Sequence, residues 1–568
     1  MKYSEMKYER PDINNLEENF SGLIKSFKEA KSFEESEAIM DQINLLRNDF
    51  ESLKIIAFIN YSIDTNDARA TEEQDYFDNI IPVFSGYTNK FYEALLCSSF
   101  KDQFVKKYGD QLFKIAELAM KSFSPEIIED LQKENHLSSE YTKLKASAKI
   151  EFDGKERNLQ ELEPFMESTD AITRKKAFDA YWKFFSDNKE RFNGLFDELV
   201  RLRNGMAIKL GYENFIELGY AKMKRVDYDY NMVKHFRENV KKYVVPLAVK
   251  LREKQRKRIG VDKLMVYDAF LQFKSGNATP KGDPEWIMNN GQTMYDELSN
   301  ETAEFYDFMM KNELMDVYSR KGKADMGYCE YIAAYKSPYI FANMNGTEDD
   351  ITVLTHEAGH AFQAYASRNF QFKEYTEPTM ETAEIHSMSM EFLTYPWMKL
   401  FFEEDTDKFK FAHLNSTVNF LPYGVLVDEF QHWVYENPSA DPKERKSKWR
   451  EMEKIYMPHI NYGDNEFLES GGRWQKQSHI YEMPFYYIDY CLAQVCAFQF
   501  WSKAIQKSNG EYKNALKDYI KLCEAGGSKP FLELVKYANL ESPFEEGVIE
   551  KLVKEIEAYI DSVDDGKF

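Results

Sequence analysis

The sequence predicts a mainly α-helical protein with one small β-sheet, on two observations. From about residue 16 to residue 260, apolar side chains recur at spacings of three and four, as at Phe27, Ala30 and Phe33, and this spacing is typical of helices that bury one face. Residues 263–345 are instead rich in aromatic residues, glycine and proline, which favours irregular structure and a few strands.

Composition and charge restrict the functional class. With 43% hydrophobic and 30% charged residues over 568 positions, the chain is expected to be globular with a large core. Its formal net charge of −22 argues against nucleic-acid binding, which normally uses basic clusters. The basic run at residues 241–258 is brief and has helical spacing, so we interpret it as a helix surface.

The sequence also indicates a cellular location. No stretch approaches the roughly 20 apolar residues of a membrane span, and residues 1–11 lack the apolar core of a signal peptide. An odd number of scattered cysteines is typical of reduced thiols: Cys97, Cys329, Cys491, Cys496 and Cys523. We therefore expect a cytoplasmic protein that does not bind membranes.

The strongest chemical signal is the sequence His356-Glu357-Ala358-Gly359-His360. On a helix, two histidines four residues apart project from one face, so both imidazoles reach a single ion. Glu357 lies beside them, where its carboxylate can take a proton from an attacking water. A chance match in a chain with nine histidines is expected at only about one or two per cent. The motif therefore predicts zinc ligands at His356 and His360 and the chemistry of a zinc peptidase.

The residues around the motif predict where its helix begins and what packs on it. Thr347 is a suitable N-cap residue. Acidic residues at the positive end of the helix dipole favour a helix start here: Glu348, Asp349 and Asp350. Gly359 costs a helix about 1 kcal/mol relative to alanine, so we expect something to pack too close to it for a side chain.

A strand is predicted directly before this helix. Residues 339–344 have a strand pattern, and the Asn-Gly pair at 345–346 is a strong turn signal. If the edge of the strand is free, its backbone can pair with an extended peptide, and Phe341, Ala342 and Asn343 then bind the substrate. The alternative is a purely internal strand.

A catalytic zinc site needs a third protein ligand. Glutamates downstream of the motif offer these candidates: Glu374, Glu377, Glu381, Glu384 and Glu391. Residues 380–393 have the pattern of a helix that places Glu384 and Glu391 on one face, so one can bind the ion while the other supports a histidine. Spacing alone leaves the choice between them open.

Two segments together carry a resemblance to a known family. Residues 356–360 read His-Glu-Ala-Gly-His, and residues 384–391 read Glu-Ile-His-Ser-Met-Ser-Met-Glu. In this combination the chain resembles the thimet oligopeptidase and oligoendopeptidase F family of zinc metallopeptidases, in the oligoendopeptidase F branch. The resemblance implies that Glu384 is the third zinc ligand and Glu391 a supporting carboxylate.

The same resemblance implies an architecture. It is a zincin clamshell, in which two helical lobes flank a deep substrate channel and a small β-sheet lies near the zinc helix. Residues 1–168 would form a helical part of the channel wall, and residues 169–568 would form the catalytic region. The expected substrates are short unfolded peptides, and the expected cofactor is one Zn²⁺ per chain.

A second group of polar aromatic residues lies further along the chain. His479 precedes Tyr486, Tyr487 and Tyr490, and Pro484 suits the first turn of a helix that carries the tyrosines. Hydroxyl or imidazole donors near the metal would stabilise the oxyanion that forms on the scissile carbonyl. The alternative is packing residues with hydrogen-bonded tips. The family has a histidine followed by a tyrosine-rich helix here, so we predict His479 with Tyr487 or Tyr490 as donors, and Tyr486 as their substitute in contact with the substrate.

These predictions combine in a cytoplasmic zinc endopeptidase of oligopeptides, in which Glu357 activates the water and then protonates the departing amine. Two alternatives stay open: a related zinc exopeptidase of the dipeptidase or carboxypeptidase type, and a catalytically silent peptide-binding clamshell. Glu357 beside both histidines argues against the silent protein. We interpret the remaining histidines as structural or surface residues: His136, His235, His386, His413, His432 and His459.

Overall fold

The protein is mainly helical, as predicted. The structure is a computed structural model that describes residues 1–505 and 509–568. The N-terminal helices are Ile13–Glu29, Phe33–Ile63, Ala68–Leu96, Lys101–Tyr108, Gln111–Ser122 and Ile128–Ala146. The central helices are Glu163–Met166, Ala171–Asp187, Lys189–Lys209, Phe215–Lys222, Tyr230–Asn239, Val245–Ile259, Pro284–Leu298 and Asn300–Lys311. The C-terminal helices are Asp349–Ser367, Lys373–Thr376, Met380–Leu393, Lys399–Phe402, Thr406–Glu436, Pro442–Tyr456, Glu466–Glu469, Ser478–Glu482, Tyr487–Ile505, Asn509–Ala525, Phe531–Tyr537 and Val548–Ser562.

Two small sheets interrupt the helices. β1 (Ile150–Phe152) and β2 (Lys155–Arg157) form an antiparallel hairpin. The second sheet contains β3 (Met315–Tyr318), β4 (Tyr328–Ile332) and β5 (Ser337–Met344) in the order β3-β5-β4. β5 is parallel to β3 and antiparallel to β4, so β5 is the central strand and β4 forms one edge. The predicted strand before the motif is confirmed as β5.

Three helices carry the candidate site. We call them the motif helix (Asp349–Ser367), the glutamate helix (Met380–Leu393) and the tyrosine helix (Tyr487–Ile505). The glutamate helix packs against both of the others. Its predicted bounds are confirmed. Pro484 lies in a turn before the tyrosine helix rather than in its first turn, because the N–H of Phe485 donates to the Gln431 side chain at 2.9 Å instead of entering a helix.

The N-terminal helices have a hydrophobic core of their own, which also takes in Phe372 and Tyr375 from the segment before the glutamate helix. A buried ion pair joins the same two parts of the chain. The Arg47 guanidinium and the Tyr92 hydroxyl both donate to Oε1 of Glu374. The side chains of Arg47 and Glu374 are only 6% and 2% exposed. The N-terminal region therefore holds the segment that leads to the glutamate helix.

Over residues 1–505 and 509–568, no helix is both long enough and apolar enough to cross a membrane. The five cysteines are all free thiols in the same residues. The predicted cytoplasmic location stays a prediction.

Candidate metal centre

The turn between β5 and the motif helix is fixed by side chains. Glu348, rather than Thr347, takes the N-cap position, so the predicted cap is wrong by one residue. The Thr347 hydroxyl instead donates to Oδ1 of Asn345 at 2.7 Å. The Asp350 carboxylate reaches back and accepts from the backbone N–H groups of Asn345 and Gly346 at 2.8 and 2.9 Å. These bonds fix the direction in which the helix leaves the sheet.

Gly359 marks the point where the motif helix crosses the glutamate helix. A Cβ atom at this position would lie 2.6 Å from the carbonyl oxygen of His386 and 2.6 Å from Cα of Ser387. The backbones of the two helices are therefore in direct contact, and the expectation of close packing at Gly359 is confirmed. This contact brings Glu384 within reach of both motif histidines.

We expect Gly359→Ala to lower the free energy of unfolding by about 1–3 kcal/mol, because the new methyl group would overlap backbone atoms that cannot rotate away. Zinc retention should fall with it, since the helices that carry the ligands would separate. Urea unfolding and metal analysis measure both effects. Gly205→Ala is the matched control, because Gly205 lies within a helix and has open space where its Cβ would be. Equal effects of the two substitutions would contradict the close backbone contact between the two helices at Gly359.

Three side chains converge on one point between the motif and glutamate helices. Nε2 of His356 lies 3.3 Å from Oε2 of Glu384, and Nε2 of His360 lies 3.5 Å from the same oxygen. In a tetrahedral zinc site with bonds of about 2.0–2.1 Å, ligand atoms are separated by about 3.4 Å. The donor set and its spacing therefore fit a zinc ion.

Glu391 lies behind the first of these histidines. Its Oε1 is 2.7 Å from Nδ1 of His356. A hydrogen bond from Nδ1–H leaves the lone pair on Nε2 pointing at the metal position and fixes the ring orientation. Glu391 thus has the geometry of the supporting carboxylate that the resemblance implies.

The other downstream glutamates lie away from this point. Glu374 pairs with Arg47, and Glu377 lies 3.5 Å from Nζ of Lys373. Oε1 of Glu381 accepts from the hydroxyl of Thr379 at 2.8 Å.

Glu357 is buried next to the proposed ligands, with only 7% of its surface exposed. Among the residues that the structure describes, its Oε2 has no hydrogen-bond partner. Burial raises the pKa of Glu357 above its ordinary value, although the two motif histidines act in the opposite direction. Gly327, just before β4, is so close that a Cβ there would lie 3.6 Å from Oε1 of Glu357. The start of β4 therefore forms a wall beside this carboxylate.

His479 is held in one tautomer by its neighbours. The Gln477 amide nitrogen donates to Nδ1 of His479 at 2.8 Å, and the Gln477 oxygen accepts from the Tyr423 hydroxyl at 2.9 Å. Burial lowers the pKa of His479 to about 4, so the ring is neutral and carries its proton on Nε2. Nε2 lies 3.2 Å from the Tyr490 hydroxyl.

The three predicted tyrosines take different positions. The Tyr486 hydroxyl donates to Oε1 of Glu384. The rings of Tyr486 and Tyr490 are 4.9 Å apart between centroids, and Tyr490 is the one bonded to His479. The Tyr487 ring packs against Tyr423, with centroids 5.9 Å apart. A donor role for Tyr487 stays a prediction.

The expectation that β5 has a free edge is wrong. β5 is paired on both sides, with β3 and with β4. The carbonyl oxygen of Ala342 accepts from the buried Lys323 ammonium, and the Asn343 amide donates to the carbonyls of Ala324 and Met326 at 2.9 and 3.0 Å. The Phe341 ring stacks on Tyr328, with centroids 4.8 Å apart. The alternative of an internal strand is therefore the correct one for β5.

Some supporting residues had no signal in the sequence. Gln477 and Tyr423 fix His479 although they carry no motif. His413, interpreted above as structural, has Nε2 at 2.8 Å from Oε2 of Glu391. Gln477 is only two residues from His479, whereas Tyr423 and His413 lie on the helix Thr406–Glu436 and reach their partners through packing between distant parts of the chain.

Comparison with known proteins gives independent findings. The chain matches the peptidase M3 N-terminal domain over residues 3–123 and peptidase family M3 over residues 164–554. Oligopeptidase PepF of Bacillus subtilis is 25% identical over 414 residues, which are 71% of this chain and 58% of the relative. The match thus spans less than two thirds of that relative's length.

Solved structures are more similar. A structure of PZ peptidase A with inhibitor 2 is 54% identical, has a TM-score of 0.98 and is covered over 100% of both chains. A Bacillus anthracis protein assigned as an oligoendopeptidase F is 50% identical with a TM-score of 0.94, over 100% of this chain and 99% of the other. The predicted fold class, a mainly helical two-lobed zincin-like fold, is confirmed.

Proposed function

Because this chain belongs to peptidase family M3, we propose that it is a zinc-dependent endopeptidase that hydrolyses peptide bonds in short unfolded oligopeptides. One observation carries the proposal. His356, His360 and Glu384 converge on one point, beside the buried carboxylate of Glu357. The likeness to an oligopeptidase and to oligoendopeptidase F proteins supports peptides as substrates.

The ligand side chains are oriented from outside the metal position. Glu391 accepts from His356, and Tyr486 donates to the Glu384 oxygen that faces away from the histidines. A bound Zn²⁺ would lower the pKa of water and polarise the scissile carbonyl. The protein supplies three ligands and leaves the fourth position to water and substrate, which is the pattern of catalytic rather than structural zinc sites.

Glu357 is the proposed general base. Its Oε2 has no competing donor among the described residues, so it is free to accept a proton from the attacking water. Glu357 then passes this proton to the departing amine.

The proposed oxyanion donors are His479 and Tyr490. The neutral ring of His479 presents Nε2–H, and Gln477 prevents it from turning over. The Tyr490 hydroxyl lies 3.2 Å from this nitrogen, so both groups point at the same region. Donors that are fixed before the reaction stabilise the developing negative charge without reorganisation.

The edge of β4, rather than β5, is the proposed site for the peptide backbone. β4 is an edge strand of the sheet β3-β5-β4, and Gly327 at its start lies beside Glu357. An extended peptide that pairs with an edge strand gains main-chain hydrogen bonds that do not depend on its side chains. Such binding suits an enzyme that cleaves varied oligopeptides.

Hydrolysis of a quenched fluorescent peptide by the purified protein tests the proposal. We expect cleavage that a chelator abolishes and that added Zn²⁺ restores. Unchanged cleavage after the metal has been removed and its absence verified would contradict a zinc mechanism. Peptides blocked at both termini separate the endopeptidase from the exopeptidase alternative, because an endopeptidase does not need a free end. Turnover of any peptide excludes the silent clamshell.

Tyr490→Phe is expected to lower kcat about 100-fold, since one oxyanion donor is typically worth about 3 kcal/mol of barrier. KM should change little, because the donor acts on the charge that forms during reaction. Tyr487→Phe is the neighbouring comparison, and we expect a smaller loss there. Steady-state kinetics on the same peptide give both values. A larger loss in Tyr487→Phe would exchange the roles of the two tyrosines.

A further inference from the structure

A hydrogen-bonded chain continues behind Glu391, away from the proposed zinc position. Oε1 of Glu391 lies 2.7 Å from Nδ1 of His356, and Oε2 lies 2.8 Å from Nε2 of His413. Nδ1 of His413 in turn lies 2.6 Å from the Tyr395 hydroxyl. Glu391, His413 and Tyr395 are 7%, 5% and 8% exposed. The chain is therefore almost free of contact with bulk water.

The donors and acceptors along this chain are complementary. An ionised carboxylate only accepts, so His356 and His413 both donate to Glu391. The Tyr395 hydroxyl lies at hydrogen-bond distance from Nδ1 of His413, on the side of the ring opposite Glu391. Burial alone would raise the pKa of Glu391, but the hydrogen bonds from the two histidines hold it below its ordinary value.

Packing prevents the His413 ring from leaving this arrangement. The Phe409 ring stacks on it at 5.6 Å between centroids and 20° between planes. The Phe392 ring meets it edge-on at 5.1 Å. His413 lies on the helix Thr406–Glu436, whereas Glu391 lies on the glutamate helix, so the bond also ties these two helices together.

We propose that His413 and Tyr395 are positioning residues that set the affinity of the site for zinc, by fixing Glu391 and, through it, the ring of His356. The inference rests on the proposed function, because it takes His356 to be a zinc ligand. Without the bond from His413, one oxygen of the buried Glu391 has lost its donor, and the carboxylate can turn away from His356. Outer partners of metal ligands typically change metal affinity by about 10- to 100-fold.

Zinc affinity, measured by competition with a chromogenic chelator, tests this without any use of peptidase activity. We expect His413→Leu to weaken zinc binding about 10- to 100-fold. His413→Gln should recover most of the affinity, because its amide N–H reaches about as far as Nε2 of the imidazole. Tyr395→Phe removes only the last hydroxyl of the hydrogen-bonded chain and should weaken zinc binding about threefold. This variant tests the proposal even if His413→Leu does not fold.

His432→Leu is the matched control. His432 lies on the same helix, is 3% exposed and bonds to the Tyr220 hydroxyl at 3.2 Å, but it has no contact with Glu391. Its loss should reduce stability and leave zinc affinity unchanged. The proposal is overturned if His413→Leu binds zinc as tightly as the wild type, or if His432→Leu weakens binding to the same degree. A wild-type protein that binds zinc and cleaves no peptide would refute the proposed function alone.

Discussion

Replacing Glu357 with glutamine is expected to lower kcat/KM for peptide hydrolysis about 10⁴-fold, at the upper end of the range for general acid–base groups. The large value follows from the proposed role, in which the same carboxylate takes the proton from water and delivers it to the amine. An amide of equal size can do neither. Zinc content should stay the same, since His356, His360 and Glu384 are untouched.

The matched control is Glu381→Gln. Glu381 is also a buried carboxyl and lies on the glutamate helix, at 1% exposure, and burial raises its pKa to about 8. The raised pKa favours the protonated form of Glu381, which glutamine resembles. We expect activity close to that of the wild type. Full activity in Glu357→Gln, with metal analysis and unfolding curves normal, would refute the mechanism.

Arg47→Met should produce the largest loss of stability among the changes considered, about 3–5 kcal/mol in the free energy of unfolding. The substitution leaves the buried carboxylate of Glu374 without its cation, and methionine fills the space but cannot donate. Arg47→Met combined with Glu374→Gln should recover part of the loss, because no unpaired charge remains. Chemical unfolding at neutral pH measures all three proteins.

Arg10→Met is the control for this experiment, because Arg10 also pairs with glutamates but has a side chain 39% exposed. Exposed ion pairs contribute less than about 1 kcal/mol. A loss in Arg47→Met no larger than in Arg10→Met would show that the buried pair does not hold the N-terminal region in place.

The ion pair between Arg47 and Glu374 predicts that the free energy of unfolding depends on pH. Burial alone would raise the pKa of Glu374, but Arg47 and Tyr92 hold it at about 2, below its ordinary value of 4.5. The folded protein thus binds this proton less readily than the unfolded chain does. The stabilisation is fully present above pH 4.5 and is lost as the pH falls towards 2. Between pH 5 and pH 3, unfolding experiments should show a smaller loss of stability in Glu374→Gln than in the wild type.

Local signals in the sequence were sufficient for the parts of the site that lie on single helices. The four-residue spacing of His356 and His360 places both on one face, whatever the rest of the fold. The sequence predicted a close contact at Gly359, because glycine lowers the stability of a helix and is expected where a neighbour leaves no room for a side chain. The glutamate helix was predicted with its observed bounds, since its pattern is continuous from residue 380 to residue 393.

Contacts between residues far apart in the sequence could not be predicted from local patterns. The sequence of β5 leaves a free edge and an internal position both open, and only the pairing with β3 and β4 makes the strand internal. His413 lies on a different helix from Glu391 and at no ligand spacing from it. Arg47 and Glu374 are 327 positions apart, so neither residue indicates the other. These features follow from packing, which depends on the whole chain.

The N-terminal helices share a hydrophobic core with Phe372 and Tyr375, so they do not form a separate module. A fragment without those helices would expose two aromatic rings and leave Glu374 buried or half-buried without a cation, directly before the helix that carries Glu384. The N-terminal region is thus a folding partner of the segment that leads to the glutamate helix, not an accessory that can be removed. Chimaeras between relatives should work only when both sides of this contact, including residues 47 and 374, come from the same parent.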